Sequence, residues 1–390
     1  MGLPDSAAPA SIDMLARLVA FNTVSHNSNL GLIDFARSWL AQHGALCRLS
    51  FDATGTKANL HAILGPAQAG GIGFSGHVDT VSTEGQTWSG DPFTLRRQDG
   101  HLIGRGACDM KGFVASLLAA VPYIAARRLT RPVHLLLTYD EEVGYHGARR
   151  LIEDLNASGL RPECCVVGEA SGMQPILAQK GRFILRVTVR GHAAHSSEAH
   201  RGVNAVHAAA EAIAWLAAEA RRHALYGPFE AGFDPPYTTL VVGDAGSEGL
   251  PNTVPALARF GVEWRSIPAD DPHAAVARFK AHVAAGIERE MRAHHPAAGF
   301  DYEVRLDLAA LSLPPEHELA RAACAITGAP AGGKVSYCSE GSLFQPVGIA
   351  CMVCGPGHVS QVHQPDEWIA ESQLAACDAF IRRMVDRLAG

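Results

Sequence analysis

The sequence predicts an α/β protein with a mixed, mainly parallel sheet and helices on both faces, interrupted by an inserted α+β domain of ferredoxin-like βαββαβ order. Three observations predict it. Short apolar runs alternate with helical patterns as far as residue 170, the order that lays parallel strands side by side. From Arg182 the texture changes: RFILRVTVR alternates polar and apolar residues, as a half-exposed antiparallel strand does. From Leu313 the chain returns to apolar helices and short strands. A length of 390 residues suits one core carrying an insertion, at about 100–200 residues per domain. The expected boundaries are 1–181 and 310–390 for the core and 182–309 for the insertion.

Each element has a local reason. Ser11 is expected to cap a helix through Met14, Leu15, Leu18 and Val19, which are apolar at helical spacing. Residues 32–43 give a second helix, and 59–64 alternate as a strand. A short apolar strand over 73–81 ends in polar residues. An Ala/Leu-rich helix over 112–126, a buried strand over 133–138, a helix over 145–155 and a strand over 164–168 follow. In the insertion, strand 182–190 leads to an Ala-rich helix from 203 to about 223. Strands 238–242 and 256–264 come next. Asp270 and Asp271 open a single helix of about twenty residues, and strand 301–307 closes the unit.

Composition excludes several classes. Hydrophobic residues make up 47% and charged residues 18%, a globular profile rather than a disordered one. Lys+Arg total 33 against 39 Asp+Glu, a net −6, without the basic surplus of nucleic-acid or anionic-membrane binders. No run approaches the ~20 apolar residues of a membrane helix. The N-terminal stretch lacks a basic start followed by an apolar run, so no secretory signal is read and the cytoplasm is expected. Met1 to Ser6 spells a myristoylation pattern, but Pro4 lies inside it and no polybasic patch adjoins it. The nine cysteines are irregularly placed, with Cys164 beside Cys165 and Cys351/Cys354 as a lone CxxC. That is neither a disulfide framework nor a four-cysteine zinc site. Asn156-Ala157-Ser158 matches a glycosylation acceptor, which matters only in a secreted chain.

Gly71-Ile72-Gly73-Phe74-Ser75-Gly76 spells G-x-G-x-x-G, but a dinucleotide fingerprint needs its glycines between a strand and a helix. Here they lie within or before the strand, and His77-Val78-Asp79-Thr80 and a loop follow.

Six clusters of acids or histidines sit at the ends of predicted elements. In Ser75-Gly76-His77-Val78-Asp79, a two-residue period puts Asp79 on the side of His77, where it can hold the ring N–H that a metal-bound imidazole leaves free. A strand-end histidine bonded to a turn aspartate is the structural alternative. Asp109, in Gly104-Arg105-Gly106-Ala107-Cys108-Asp109-Met110-Lys111-Gly112, stands just before a helix and could equally be its N-cap. Asp140-Glu141-Glu142-Val143-Gly144 follows a buried strand; adjacent carboxylates repel, and a divalent cation offsets that. Neighbouring residues point to opposite sides, so Glu141 and Glu142 should differ in role. Gly168-Glu169-Ala170-Ser171, Gly191-His192-Ala193-Ala194-His195-Ser196-Ser197 and the run from Gly355-Pro356-Gly357-His358 to His363-Gln364-Pro365-Asp366-Glu367 complete the set. His77, Asp109, Glu142, Glu169 and His363 suit a two-metal site with a bridging carboxylate. Nitrogen and oxygen ligation fits Zn²⁺ first, or Co²⁺ or Mn²⁺.

These motifs, in this order, resemble the metal-dependent M20 peptidase/deacylase family over roughly residues 10–385. Phe21-Asn22-Thr23-Val24-Ser25 with Ser28-Asn29, the Tyr139–Gly144 run, and Ser336-Tyr337-Cys338-Ser339-Glu340 before Gly355-Pro356-Gly357 look most like its acetylornithine deacetylases. The resemblance implies that Asp109 bridges two metals, with His77 and Glu169 on one and Glu142 and His363 on the other. Glu141 would be the general base and Asp79 the partner of His77. His195 would stabilise the oxyanion, in this family often across a dimer interface, which makes the insertion a lid and dimerisation domain. Asn252 and Arg265 match positions that contact substrate, Arg265 suiting an α-carboxylate. Glu340 is the candidate partner of a cationic substrate side chain such as that of ornithine; the alternative is an exposed loop glutamate. The chain departs from the family pattern at Ala170-Ser171, where many members have Pro-Thr, and in the loop Gly246-Ser247-Glu248-Gly249-Leu250-Pro251.

The expected reaction is hydrolysis of an N-acyl amino acid, N2-acetylornithine to ornithine and acetate, which would be a step of arginine biosynthesis. The alternatives are another N-acyl amino acid such as succinyl-diaminopimelate, or a di- or aminopeptidase substrate. A non-catalytic metal-supported protein would have no need of Glu141. Small-molecule substrate and a homodimer are the expected partners.

Overall fold

The computed structural model describes residues 10–329 and 331–389. The Met1–Ser6 pattern lies outside them. The chain divides into two compact units, one of Met1–Ala178, Ser312–Gly333 and Ser339–Gly390, the other of Gln179–Leu311 and Lys334–Cys338.

The first unit is built on a mixed sheet. Strands Val133–Thr138, Ile72–His77, Cys164–Ala170 and Ala350–Gly355 lie side by side and parallel at its centre. Leu46–Phe51 and Ala58–Leu64 continue it antiparallel beyond Val133–Thr138, and Ile176–Gln179 pairs antiparallel with Ala350–Gly355. The central strands are buried along nearly their whole length because both faces are covered, as parallel sheets require. Helix Lys111–Ala125 is buried on almost every side, so its apolar residues run all round it. Leu15, Phe74, Phe113, Leu117, Leu135, Val166 and Phe380 belong to the one core that results. Burying a side chain of this kind contributes about 1.5–3 kcal/mol.

The second unit has four antiparallel strands in the order Thr239–Ser247, Leu257–Arg265, Arg182–Arg190, Gly299–Leu308. Helix Ala205–Tyr226 separates its first two strands in sequence, and two helices precede its last, giving the βαββαβ order. Strand Arg182–Arg190 buries Phe183, Leu185, Val187 and Val189 on one face only, as its alternation predicts.

Two local expectations are corrected. Ser11 is not a cap: the first helix spans Ala10–Val19, and the buried Ser11 hydroxyl donates to Asp378 Oδ2 at 2.6 Å. The single helix expected after Asp271 is two, Pro272–Ala285 and Ile287–His294. Gly286 between them takes φ −115° and ψ −84°, outside the helical region. Asp271 does cap the first, its carboxylate accepting from His273 N–H. Gly73 and Gly76 lie inside strand Ile72–His77 and no helix follows it directly, so the G-x-G-x-x-G run has no phosphate-binding geometry. Among the described residues no helix is long and apolar enough to cross a membrane.

Candidate metal centre

Parallel strands present their C-terminal ends at one edge of a sheet, where sites of α/β folds form. At that edge His77 ends its strand, residues 140–142 follow Val133–Thr138, and Glu169 lies near the end of Cys164–Ala170. Gly168 and Gly76 let helix Lys111–Ala125 approach this edge. A Cβ on Gly168 would stand 2.0 Å from Phe113 Cγ. Asp109 lies just before that helix, and His363, at φ 62°, comes from the loop after Ala350–Gly355.

Asp109 stands between two imidazoles. Its Oδ1 is 3.1 Å from His77 Nε2, and its Oδ2 is 3.0 Å from His363 Nε2. His77 Nε2 is also 3.7 Å from Glu169 Oε1, and His363 Nε2 is 3.3 Å from Glu142 Oε2. Ligand atoms of His77, Glu141 and Glu169 lie within 4.8 Å of one another, as do those of His77, Asp109 and Glu142. The structure therefore brings all five expected ligands and Glu141 together within the first unit.

The electrostatics are those of crowded acids. Burial lifts the Glu169 carboxyl well above the usual range, and the charges of Asp109 and Glu142 add to this. Burial also raises Glu141 well above it, with His77 opposing and Glu169 reinforcing, and raises Glu142, with Asp109 reinforcing. Asp109 goes the other way: burial would raise it, but the bonds from His363 and His77 hold it low. His77 is driven well above its ordinary value because Asp109, Glu141 and Glu169 outweigh the effect of burial. The bonds to Asp109 and Glu142 push His363 up to about 10.

Four carboxylates face two imidazoles, and Glu142 Oε1 is buried without a hydrogen-bond partner. An excess of buried acid with an orphaned oxygen is what divalent cations satisfy, so the residues fit such ions.

Asp79 lies beside His77, but not through its carboxylate. His77 Nδ1 is 3.0 Å from the Asp79 main-chain oxygen and 3.6 Å from Oδ1. The carboxylate instead accepts the N–H of Glu141 at 3.1 Å, the N–H of Glu142 at 3.3 Å and the hydroxyl of Ser25 at 2.8 Å. The start of the acidic loop is pinned by Lys57, whose Nζ lies 2.5 Å from Asp140 Oδ1.

Glu340 must be corrected. It is neither exposed nor available to a substrate cation: it is wholly buried, its carboxylate accepting from Ser75 Oγ at 2.5 Å and Thr138 Oγ1 at 2.7 Å. Burial raises its pKa against the pull of those hydroxyls. His195, Asn252 and Arg265 belong to the second unit. His195 is exposed, and its Nδ1 accepts the N–H of Ser197 at 3.2 Å, which leaves the proton of a neutral ring on Nε2. Asn252 is exposed, its main-chain oxygen accepting from Ser196 N–H. Arg265 Nε donates to Glu263 at 2.6 Å, and Nη1 to Cys338 Sγ at 3.6 Å.

Sequence reasoning assigned no role to Lys57, Ser75, Gln86, Arg105 or Glu367. Arg105 and Glu367 lie within the Gly104–Gly112 and His363–Glu367 segments, but only their burial, 1% exposed for each side chain, marks them.

A family model described as Peptidase family M20/M25/M40 matches residues 73–387. The acetylornithine deacetylase of Edwardsiella ictaluri (strain 93-146) is 30% identical over 391 residues, covering 97% of each chain. That of Myxococcus xanthus is 33% identical over 393 residues, covering 98% of each. The Bacillus subtilis YXEP protein, described as a dinuclear metal binding peptidase from the M20 family, matches with a TM-score of 0.69 at 14% identity over 96% of each chain, a likeness of fold.

Proposed function

The chain belongs to peptidase family M20/M25/M40, a family of hydrolases, and on that premise we propose that it hydrolyses the amide bond of an N-acyl amino acid, N2-acetylornithine foremost. The observation that carries the proposal is Asp109 standing between His77 and His363 with three glutamates around them. His77, Asp109, Glu142, Glu169 and His363 would hold two divalent cations, Zn²⁺ before Co²⁺ or Mn²⁺, with Asp109 shared. When bound, such ions lower the pKa of water and polarise an acyl carbonyl.

The chain's own groups have separate tasks in this reading. Glu141, raised by burial, is suited to take a proton from the attacking water and pass it to the leaving amine. Asp79 sets the main chain of Glu141 and Glu142 with one carboxylate, so base and ligand are placed together. His195, with its Nδ1 occupied, offers an Nε2–H donor for the oxyanion. Arg265 is assigned the substrate carboxylate and Asn252 a substrate polar group.

A second reading, a di- or aminopeptidase, is favoured by the name of the Bacillus subtilis neighbour and by the loss of Glu340 as a contact for ornithine. Hydrolysis assays with N2-acetylornithine, succinyl-diaminopimelate, other N-acetyl amino acids and dipeptides, with and without chelator, separate the readings. Chelator-sensitive release of acetate from acetylornithine above the rest supports the first. Preference for dipeptides supports the second, and hydrolysis of none of them contradicts both.

A further inference from the structure

One buried ion pair ties together the two chain segments that carry Asp109 and His363. Residues 101–103 pair antiparallel with Trp368–Ala370, Ile103 opposite Trp368, and Gly104 N–H donates to Glu367 O at 2.9 Å. This sets Glu367 under the loop that leads to Asp109. Its carboxylate accepts four hydrogen bonds, three of them from that loop's main chain: Gly106 N–H at 2.9 Å on Oε2, and Cys108 and Asp109 N–H at 2.8 and 2.9 Å on Oε1. The fourth is from Arg105 Nη1 at 2.7 Å.

Arg105 carries the connection onward. Its Nη2 donates to Gln86 Oε1, and Gln86 Nε2 donates to the main-chain oxygen of His363 at 3.0 Å. The guanidinium also stands over the Trp88 ring at 5.0 Å. The segment it reaches is held in unusual backbone, His363 at φ 62° and Asp366 at φ 54°, which surrounding contacts must maintain. Asp366 supplies some, its carboxylate accepting from Ser89 N–H and Arg96.

Both side chains of the pair are 1% exposed. Desolvating two charges is costly, and a buried ion pair is a poor stabiliser compared with apolar packing. The hydrogen bonds themselves indicate what this one does, since they end on the main chains of Asp109 and His363. We propose that Glu367 and Arg105 are positioning residues that place Asp109 and His363 for metal, an inference that rests on the two-cation reading above.

The test is titration of metal-free protein with Zn²⁺ against a chromophoric chelator, with thermal unfolding as the control for folding. Wild type should bind two equivalents. Glu367→Gln, which puts an amide NH₂ against main-chain donors, should weaken both equivalents by about 10–100-fold, since Asp109 is common to them. Gln86→Ala removes the bond to His363 and the acceptor of Arg105 Nη2 and Trp88 Nε1 but leaves the four bonds of Glu367, so it should weaken one equivalent by several-fold and leave the other, a split that general loosening does not give. Wild type binding no Zn²⁺ would remove the two-cation reading itself. Wild type binding two, with Gln86→Ala unchanged or equally weakened at both, overturns the positioning role alone. Should Glu367→Gln not fold, the Gln86→Ala result decides.

Discussion

His77 meets Asp79 through the main chain: its Nδ1 is 3.0 Å from the Asp79 carbonyl oxygen, while the Asp79 carboxylate, 3.6 Å away, is occupied by the N–H groups of Glu141 and Glu142. The carboxylate therefore places the acidic loop more directly than it orients the ring. Asp79→Asn would turn one acceptor into a donor facing an N–H. Its metal affinity is expected to fall by about 10–100-fold, the usual cost of losing a group that supports ligands. Titration with Zn²⁺ checks this, and unchanged affinity would show that the loop holds itself.

Glu141 is expected to matter to turnover rather than to binding. Glu141→Gln removes the proton acceptor while keeping size and the main-chain bond to Asp79. The expected result is a loss of about 10²–10⁴ in kcat with the metal content of wild type. Retention of near-wild-type kcat would remove Glu141 as the base.

A second buried pair predicts how stability responds to acid. His61 Nε2 lies 2.9 Å from His134 Nδ1 between neighbouring strands, and His134 Nε2 lies 3.0 Å from Gly70 O. Burial lowers His61 to about 3, with His134 and Arg48 reinforcing and Asp154 opposing, and lowers His134 to about 4, with the Gly70 bond opposing. Both folded values lie below the unfolded one, so the unfolded chain takes up these protons first. The stability is present above about pH 6.5 and is lost as pH falls from there towards the folded values. The loss approaches about 1.4 kcal/mol per pH unit for each histidine. Urea unfolding at pH 7.5 and 5.5 should show it, and His61→Gln should reduce the difference by about half. Parallel behaviour of wild type and variant would contradict the assignment.

Packing beneath the site is equally specific. Gly168→Ala would set a methyl 2.0 Å from Phe113 Cγ. Overpacking of this kind costs about 1–3 kcal/mol. A lowered Tm is expected, partly restored when Phe113→Leu is added. No change in Tm would mean that the helix shifts freely.

Much of this was legible in the sequence, for physical reasons. Period-two alternation marks Arg182–Arg190 because one face is wet, and acids at strand ends mark Glu142 and Glu169 because carboxylates cluster there at a cost. Glu340 was misread because burial by Ser75 and Thr138, 265 and 202 residues away, leaves no local signal. Glu367 and Arg105 leave no local signal either: Glu367 works on main-chain N–H groups, which every residue but proline has, and Arg105 meets Glu367, 262 residues away, only in the fold. The break at Gly286 was hidden by an otherwise helical run on both sides.

The central claim is that Asp109 is shared between two divalent cations, one beside His77 and one beside His363. Calorimetric titration of metal-free wild type and Asp109→Ser with Zn²⁺ tests it most directly. The expected result is two equivalents bound by wild type and weakening of both in the variant. One equivalent in wild type, or two of unchanged affinity in Asp109→Ser, would contradict it.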